Sequence, residues 1–167
     1  MRALVLILLI ACNDRAKPLP PAPTNMEVAV LAGGCFWGME GILRKIPGVT
    51  QTEVGYAGGA EAVRVVFDPQ KLTYAALLDN WYFRMHDPTT KDRQGNDVGS
   101  QYRSAIFYTT DAQKQTAEAS KAKAFERWKK PITTEIAQAT TFEPADEYHQ
   151  DYLEKNPGGY TCHFLRE

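Results

Sequence analysis

Residues 27–48 read EVAVLAGGCFWGMEGILRKIPG, and how this stretch is parsed decides the fold. EVAVLA alternates into an apolar run and predicts a strand over 27–32. Two glycines and Cys35 follow. Met39, Ile42, Leu43 and Ile46 then stand at i, i+3, i+4 and i+7, the spacing of a helix face, until Pro47-Gly48 stops it. The stretch is therefore a strand and a helix joined through a short glycine-rich turn that carries a thiol.

Working outward, 49–56 and 61–67 predict two strands, and Gly58-Gly59 between them suits a two-residue turn that demands positive φ. These strands should pair antiparallel. Tyr74, Leu77, Leu78, Trp81, Tyr82 and Met85 keep helical spacing over three turns. The polar stretch 86–101, HDPTTKDRQGNDVGSQ, predicts a long loop, and ordered loops of that length are more often functional than idle. Beyond it the pattern predicts a strand over 102–108, an Ala-rich helix over 111–128 capped by Asp111, a strand over 132–139 and a last short helix over 144–155. Helices separate all the strands except the central hairpin pair. That order favours an α+β two-layer sandwich with a mixed sheet and a split-βαβ, ferredoxin-like core.

With 167 residues, 44% hydrophobic and 23% charged, the chain suits one globular domain. Nineteen basic against twenty acidic side chains leave no electrostatic footprint for nucleic acid. The N-terminus is different in kind. MRALVLILLIA carries one basic residue and an apolar run too short to span a bilayer, the pattern of an export signal. It ends in Leu9-Ile10-Ala11-Cys12, which resembles the lipobox of bacterial lipoproteins and implies a diacylated Cys12. NDRAKPLPPAPTN follows, with the composition of an extended spacer. The implied organisation is a signal peptide over 1–11, a Pro-rich linker over 12–25 and a domain over 26–167. Such a domain is exported to the bacterial cell envelope, and the lipid anchor is its only membrane contact.

Cys35 and Cys162 stand at opposite ends of the domain, without C-x-x-C or zinc-ligand spacing. In an exported protein they could form one structural disulfide. The alternative is chemical. Cys35 sits where a helix begins, and unpaired amide N–H groups and the helix dipole there should favour its thiolate. Phe36 and Trp37 could then wall an apolar pocket beside the sulfur.

GGCFWGME, GYAGG, HDPTTKDRQGNDVGSQYRS and YHQDYLEKNPGGYTC, in that order, resemble the A-type peptide methionine sulfoxide reductases over roughly residues 27–164. The resemblance implies the α+β sandwich and reduction of the S epimer of methionine sulfoxide, free or in proteins, with neither metal nor organic cofactor. It places Cys35 as the nucleophile and Glu61 as the acid that protonates the sulfoxide oxygen. It further implies a sulfenic acid on Cys35 that Cys162, in a flexible tail, converts to a disulfide for an external thioredoxin-like reductant. By the same resemblance Phe36 and Trp37 hold the S-methyl group, Tyr102 and Tyr152 hydrogen-bond the oxygen, and Asp97 orders the site. His149 and Gln150 read as structural, while His86 and His163 show no metal spacing and receive no role.

One departure stands out. Most relatives carry about fifteen further residues between Gly59 and Ala60, where this chain runs directly from YAGG to AEAV. The segment includes another oxygen-binding tyrosine, for which Tyr56 is the nearest substitute. Three functions compete: a repair enzyme for oxidised methionine, a catalytically impaired lipoprotein that keeps only a sulfoxide- or protein-binding surface, and a general disulfide exchange enzyme, against which the missing C-x-x-C counts.

Overall fold

A computed structural model describes residues 17–167; the expected export signal over 1–11 and the expected lipidation site Cys12 lie outside the described residues. Strand β1 (Glu27–Gly33) feeds helix α1 (Phe36–Leu43), and β2 (Val49–Ala57) turns directly into β3 (Ala60–Phe67). The next helical stretch comprises α2 (Tyr74–Leu77), a π-turn (Leu78–Tyr82) and α3 (Phe83–Met85). Inside the long loop a two-residue ladder pairs β4 (Arg93–Gln94) with β5 (Asp97–Val98). Strand β6 (Ser104–Tyr108), helix α4 (Asp111–Trp128), β7 (Glu135–Gln138), β8 (Glu143–Pro144) and α5 (Tyr152–Lys155) complete the chain.

The six-stranded sheet has the order β7-β6-β1-β3-β2-β8, antiparallel except for the parallel β6–β7 pair. Its central four strands, β6-β1-β3-β2, are those of a split βαβ unit. One face packs on the helices through Leu31, Val63, Val65 and Phe67 against Met39, Leu43, Leu77 and Tyr82. The other face, with Val28, Val30, Ala62 and Phe107, carries no helix; Phe142, Leu19 and Met26 pack against it. Burying one such aliphatic side chain contributes roughly 1.5–3 kcal/mol.

Four readings shift. Helix α1 opens at Phe36, three residues earlier than the apolar spacing predicts, with Cys35 at its N-cap. Thr110, not Asp111, caps α4, its hydroxyl accepting the Gln113 N–H. Tyr102 lies in a 3₁₀ turn (Ser100–Tyr102) ahead of β6 rather than on the strand. The last helix is confined to Tyr152–Lys155: Pro144 belongs to β8, Glu147–His149 form a 3₁₀ turn, and Asp151, at φ 55°, separates that turn from the helix.

Residues 17–25 lie against the body rather than projecting as a spacer. The Lys17 carbonyl accepts the Phe142 N–H at 3.2 Å, and buried Arg64 donates to the carbonyls of Pro20 and Pro21 at 3.5 and 3.3 Å. An arginine buried in a sheet requires acceptors, and this strap supplies them.

Candidate active site

The β2–β3 turn is as tight as its glycines require: Gly58 and Gly59 have φ 53° and 75°, and Ala57 pairs with Ala60. Sheet register therefore places Glu61 directly opposite Tyr56, on the face shared with Val63 and Val65. At the first turn of α1, where backbone donors lack helical acceptors, the Phe36 N–H donates to Glu61 Oε2 at 3.1 Å. Half-buried, Glu61 has its carboxyl pKa raised; burial is the main cause, the Phe36 bond opposes it and the Asp97 charge adds to it.

Cys35 is 7% exposed, and here the expectation of a stabilised thiolate is overturned. The amides of Trp37 and Gly38 do lower its pKa, as a helix start should, but burial outweighs them and the charges of Glu61 and Asp97 add to it, so the thiol is pushed up to about 12. At rest the site holds a neutral thiol beside a carboxyl biased toward protonation.

Phe36 is buried and Trp37 only partly so. The indole stacks on Tyr152 with centroids 3.8 Å apart and planes 12° from parallel, and its N–H donates to His149 Nδ1 at 3.1 Å. Phe36 packs against Tyr56 and His149 at 5.7 and 5.3 Å. Together these rings make an aromatic wall. Tyr102 lies within electrostatic reach of Cys35, Glu61 and Asp97, which with burial raise its phenol pKa.

Asp97 meets the tail. Its Oδ2 accepts the Tyr160 hydroxyl at 3.1 Å and lies 3.5 Å from Cys162 Sγ. Both Cys35 and Cys162 are free thiols. The tail is not loose: His163 Nε2 lies 2.7 Å from the Gly33 carbonyl oxygen, and Arg84 and Arg166 exchange bonds of 2.7 and 2.9 Å. The structure thus gathers Cys35, Phe36, Trp37, Glu61, Asp97, Tyr102, Tyr152 and Cys162 at one place.

Sequence reasoning passed over Arg103. Its guanidinium donates to the carbonyls of Gly58 at 2.7 Å and Ser100 at 3.0 Å and pairs with Glu135 at 3.0 Å, fastening the hairpin turn to the turn that carries Tyr102. Its position directly after Tyr102 was the one available signal. Among the described residues, no group of three or more His, Cys, Asp or Glu is placed to hold a metal ion. A separate cavity of about 540 Å³ lies between the strap and α4, bordered by Leu19, Met26 and Gln113. It contains none of these groups.

A family model described as peptide methionine sulfoxide reductase matches residues 27–61 and 58–167, and its break falls at the β2–β3 turn. The chain is 51% identical to peptide methionine sulfoxide reductase MsrA 1 of Mesorhizobium japonicum over 158 residues, covering 86% of this chain and 91% of the relative. Since 86% of this chain is about 144 residues, about 14 aligned positions have no counterpart here. Among solved structures, Mxr1 from Saccharomyces cerevisiae in reduced form superposes with a TM-score of 0.82 at 38% identity, covering 87% of this chain and 94% of that one. Mxr1 in complex with Trx2 matches at 0.67 and 30% identity, covering 89% and 96%. Matched along nearly the whole domain, the chain belongs to the peptide methionine sulfoxide reductase family.

Proposed function

We propose that the protein reduces the S epimer of methionine sulfoxide to methionine at Cys35. The observation that carries this reading is the Cys35 thiol at the start of α1, with the Glu61 carboxyl bonded to the adjacent Phe36 N–H beneath the aromatic wall. A sulfoxide sulfur is electrophilic, but its oxygen leaves only when protonated, so the reaction needs a sulfur nucleophile and an acid together. Cys35 Sγ attacks the substrate sulfur while Glu61 supplies a proton to the oxygen and takes up in its place the thiol proton that Cys35 gives up. The oxygen passes to Cys35 as a sulfenic acid and methionine departs. Phe36 and Trp37 enclose the S-methyl group; Tyr102, Tyr152 and Tyr56 face the oxygen, and Asp97 holds the loop and tail in place.

Cys162 Sγ then attacks the sulfenic sulfur, forming a disulfide and releasing water. A thioredoxin-type dithiol reduces that disulfide, a reading supported by the relative solved in complex with Trx2. The N-terminal signal and Leu9-Ile10-Ala11-Cys12 support an exported, lipid-anchored enzyme facing the cell envelope. Incubating the purified domain with dithiothreitol and each resolved epimer tests the reaction. Loss of the S epimer alone is the expected outcome; with neither consumed, only a binding role survives.

A further inference from the structure

The tail holds a histidine to which the reaction above gives no task. His163 is 7% exposed, and its ring is fixed at both nitrogens. Nε2 lies 2.7 Å from the Gly33 carbonyl oxygen, which only accepts, so Nε2 carries the hydrogen. Burial holds the imidazole pKa down to about 4, so the ring is neutral at pH 7. Nδ1 is therefore a bare lone pair, and the hydrogen-bond partner found for it is Cys162 Sγ at 3.5 Å. The backbone leaves room for this arrangement: a Cβ on Gly38 would stand 2.5 Å from Nδ1 and 2.4 Å from Thr161 Oγ1.

We propose that His163 is the general base of the resolving half-reaction, taking the proton of Cys162 through Nδ1 as that sulfur attacks. This assignment rests on the reading of Cys162 as the resolving thiol. In the step, the Cys162 S–H bond breaks and its proton moves to Nδ1. The sulfur electron pair forms the bond to Cys35 Sγ, and the S–O bond of the sulfenic acid breaks. The oxygen leaves with the proton returned from Nδ1, as water. No outside oxidant or reductant is needed, because the sulfenic acid is the oxidant.

The competing acceptor is Asp97, whose Oδ2 is also 3.5 Å from Cys162 Sγ. Asp97 already accepts the Tyr160 hydroxyl, and its charge raises the Cys162 pKa, which opposes thiolate formation. The other charged or titratable groups around the ring are Arg166 and His86.

The experiment is a single turnover without external reductant, with released methionine and dimedone-trappable sulfenic acid followed in parallel across pH 6–9. The variants are His163→Gln, which keeps a donor for the Gly33 carbonyl but removes the Nδ1 lone pair, and Asp97→Asn. In His163→Gln, disulfide formation relative to methionine release should fall on the order of 10²-fold. Trapped sulfenic acid should accumulate, and the disulfide rate should become steeply pH-dependent as hydroxide replaces the base. A merely structural histidine slows the step without changing its pH slope; that result, or an unchanged ratio, overturns the proposal. So does a steep slope in Asp97→Asn alone. Cys162→Ser separates the levels: if it forms no disulfide, the resolving role stands whatever His163 does. If wild type releases no methionine, the catalytic reading fails first.

Discussion

Burial pushes the Cys35 thiol up to about 12, so at pH 7 it is a neutral thiol, sheltered until a substrate arrives. Iodoacetamide at pH 8 should therefore label Cys35 more slowly than Cys162, whose thiol burial raises only to about 11; peptide mapping of the alkylated protein reads the ratio. Glu61 gives a sharper expectation, because its charge helps to hold the Cys35 pKa up. Glu61→Gln should make Cys35 alkylate faster while slowing single-turnover sulfoxide reduction on the order of 10²-fold, with substrate binding little changed. A variant slower in both reactions would mean that Glu61 only supports the fold. Cys35→Ser should release no methionine, since a serine hydroxyl is too weakly acidic to replace the thiol. At this scale the sequence revealed identities better than states. The thiol and the carboxyl that faces its turn stand in GGCFWG and AEAV, but the helix start suggested an activated thiolate, and what reverses this, burial first and then the charges of Glu61 and Asp97, depends on distant segments packing around Cys35.

Between elements, the contact of α1 with the tail depends on a missing side chain. Gly38→Ala should strengthen α1 by about 1 kcal/mol in intrinsic propensity yet push Thr161 and His163 away. The expected result is faster proteolysis after residue 157 and slower disulfide formation, with the first methionine still released. In the hairpin, Gly58→Ala should destabilise more than Gly59→Ala. Both carry positive φ, costing roughly 1–2 kcal/mol, but a Cβ at 58 also meets Phe107 at 3.0 Å whereas at 59 it meets nothing. Denaturant midpoints of the two variants read that order. The hairpin was legible because two adjacent glycines allow few other turns. The start of α1 was not: Phe36 stands three residues before Met39 on the same face and enters the core, but Gly33, Gly34 and Gly38 around it give 33–38 the composition of a turn. The helix anticipated from 144 begins only after Asp151, whose amide donates to Glu40 Oε2 at 3.0 Å across the molecule, a contact no local pattern encodes.

For the whole molecule, two buried neutral histidines set the response to acid. Burial holds His86 to about 3 and His163 to about 4, below the ordinary 6.5, so the stability they contribute is present above pH 6.5 and lost as pH falls through those values. Each adds up to about 1.4 kcal/mol per pH unit to the slope, opposed by the raised carboxyls of Glu40 and Glu61. His86→Gln should flatten the acid limb of Tm against pH; an unchanged limb would assign it elsewhere. The split-βαβ core was legible from the alternation of strands and helices, whereas the strap of residues 17–25 was not, since its proline content resembles a free spacer and its seat depends on buried Arg64, Phe142 and the sheet face under Leu19, all distant in sequence. The two thiols enter the site from opposite ends of the domain, one on the first strand's exit and one in the last six residues. Joining them turns almost the entire domain into a closed ring, and by chain entropy alone a ring of that size disfavours the unfolded state by about 5 kcal/mol. On the proposed reaction, a molecule that has just repaired a substrate differs in topology from one waiting for it, and its resistance to heat records the turnover until a reductant reopens the ring.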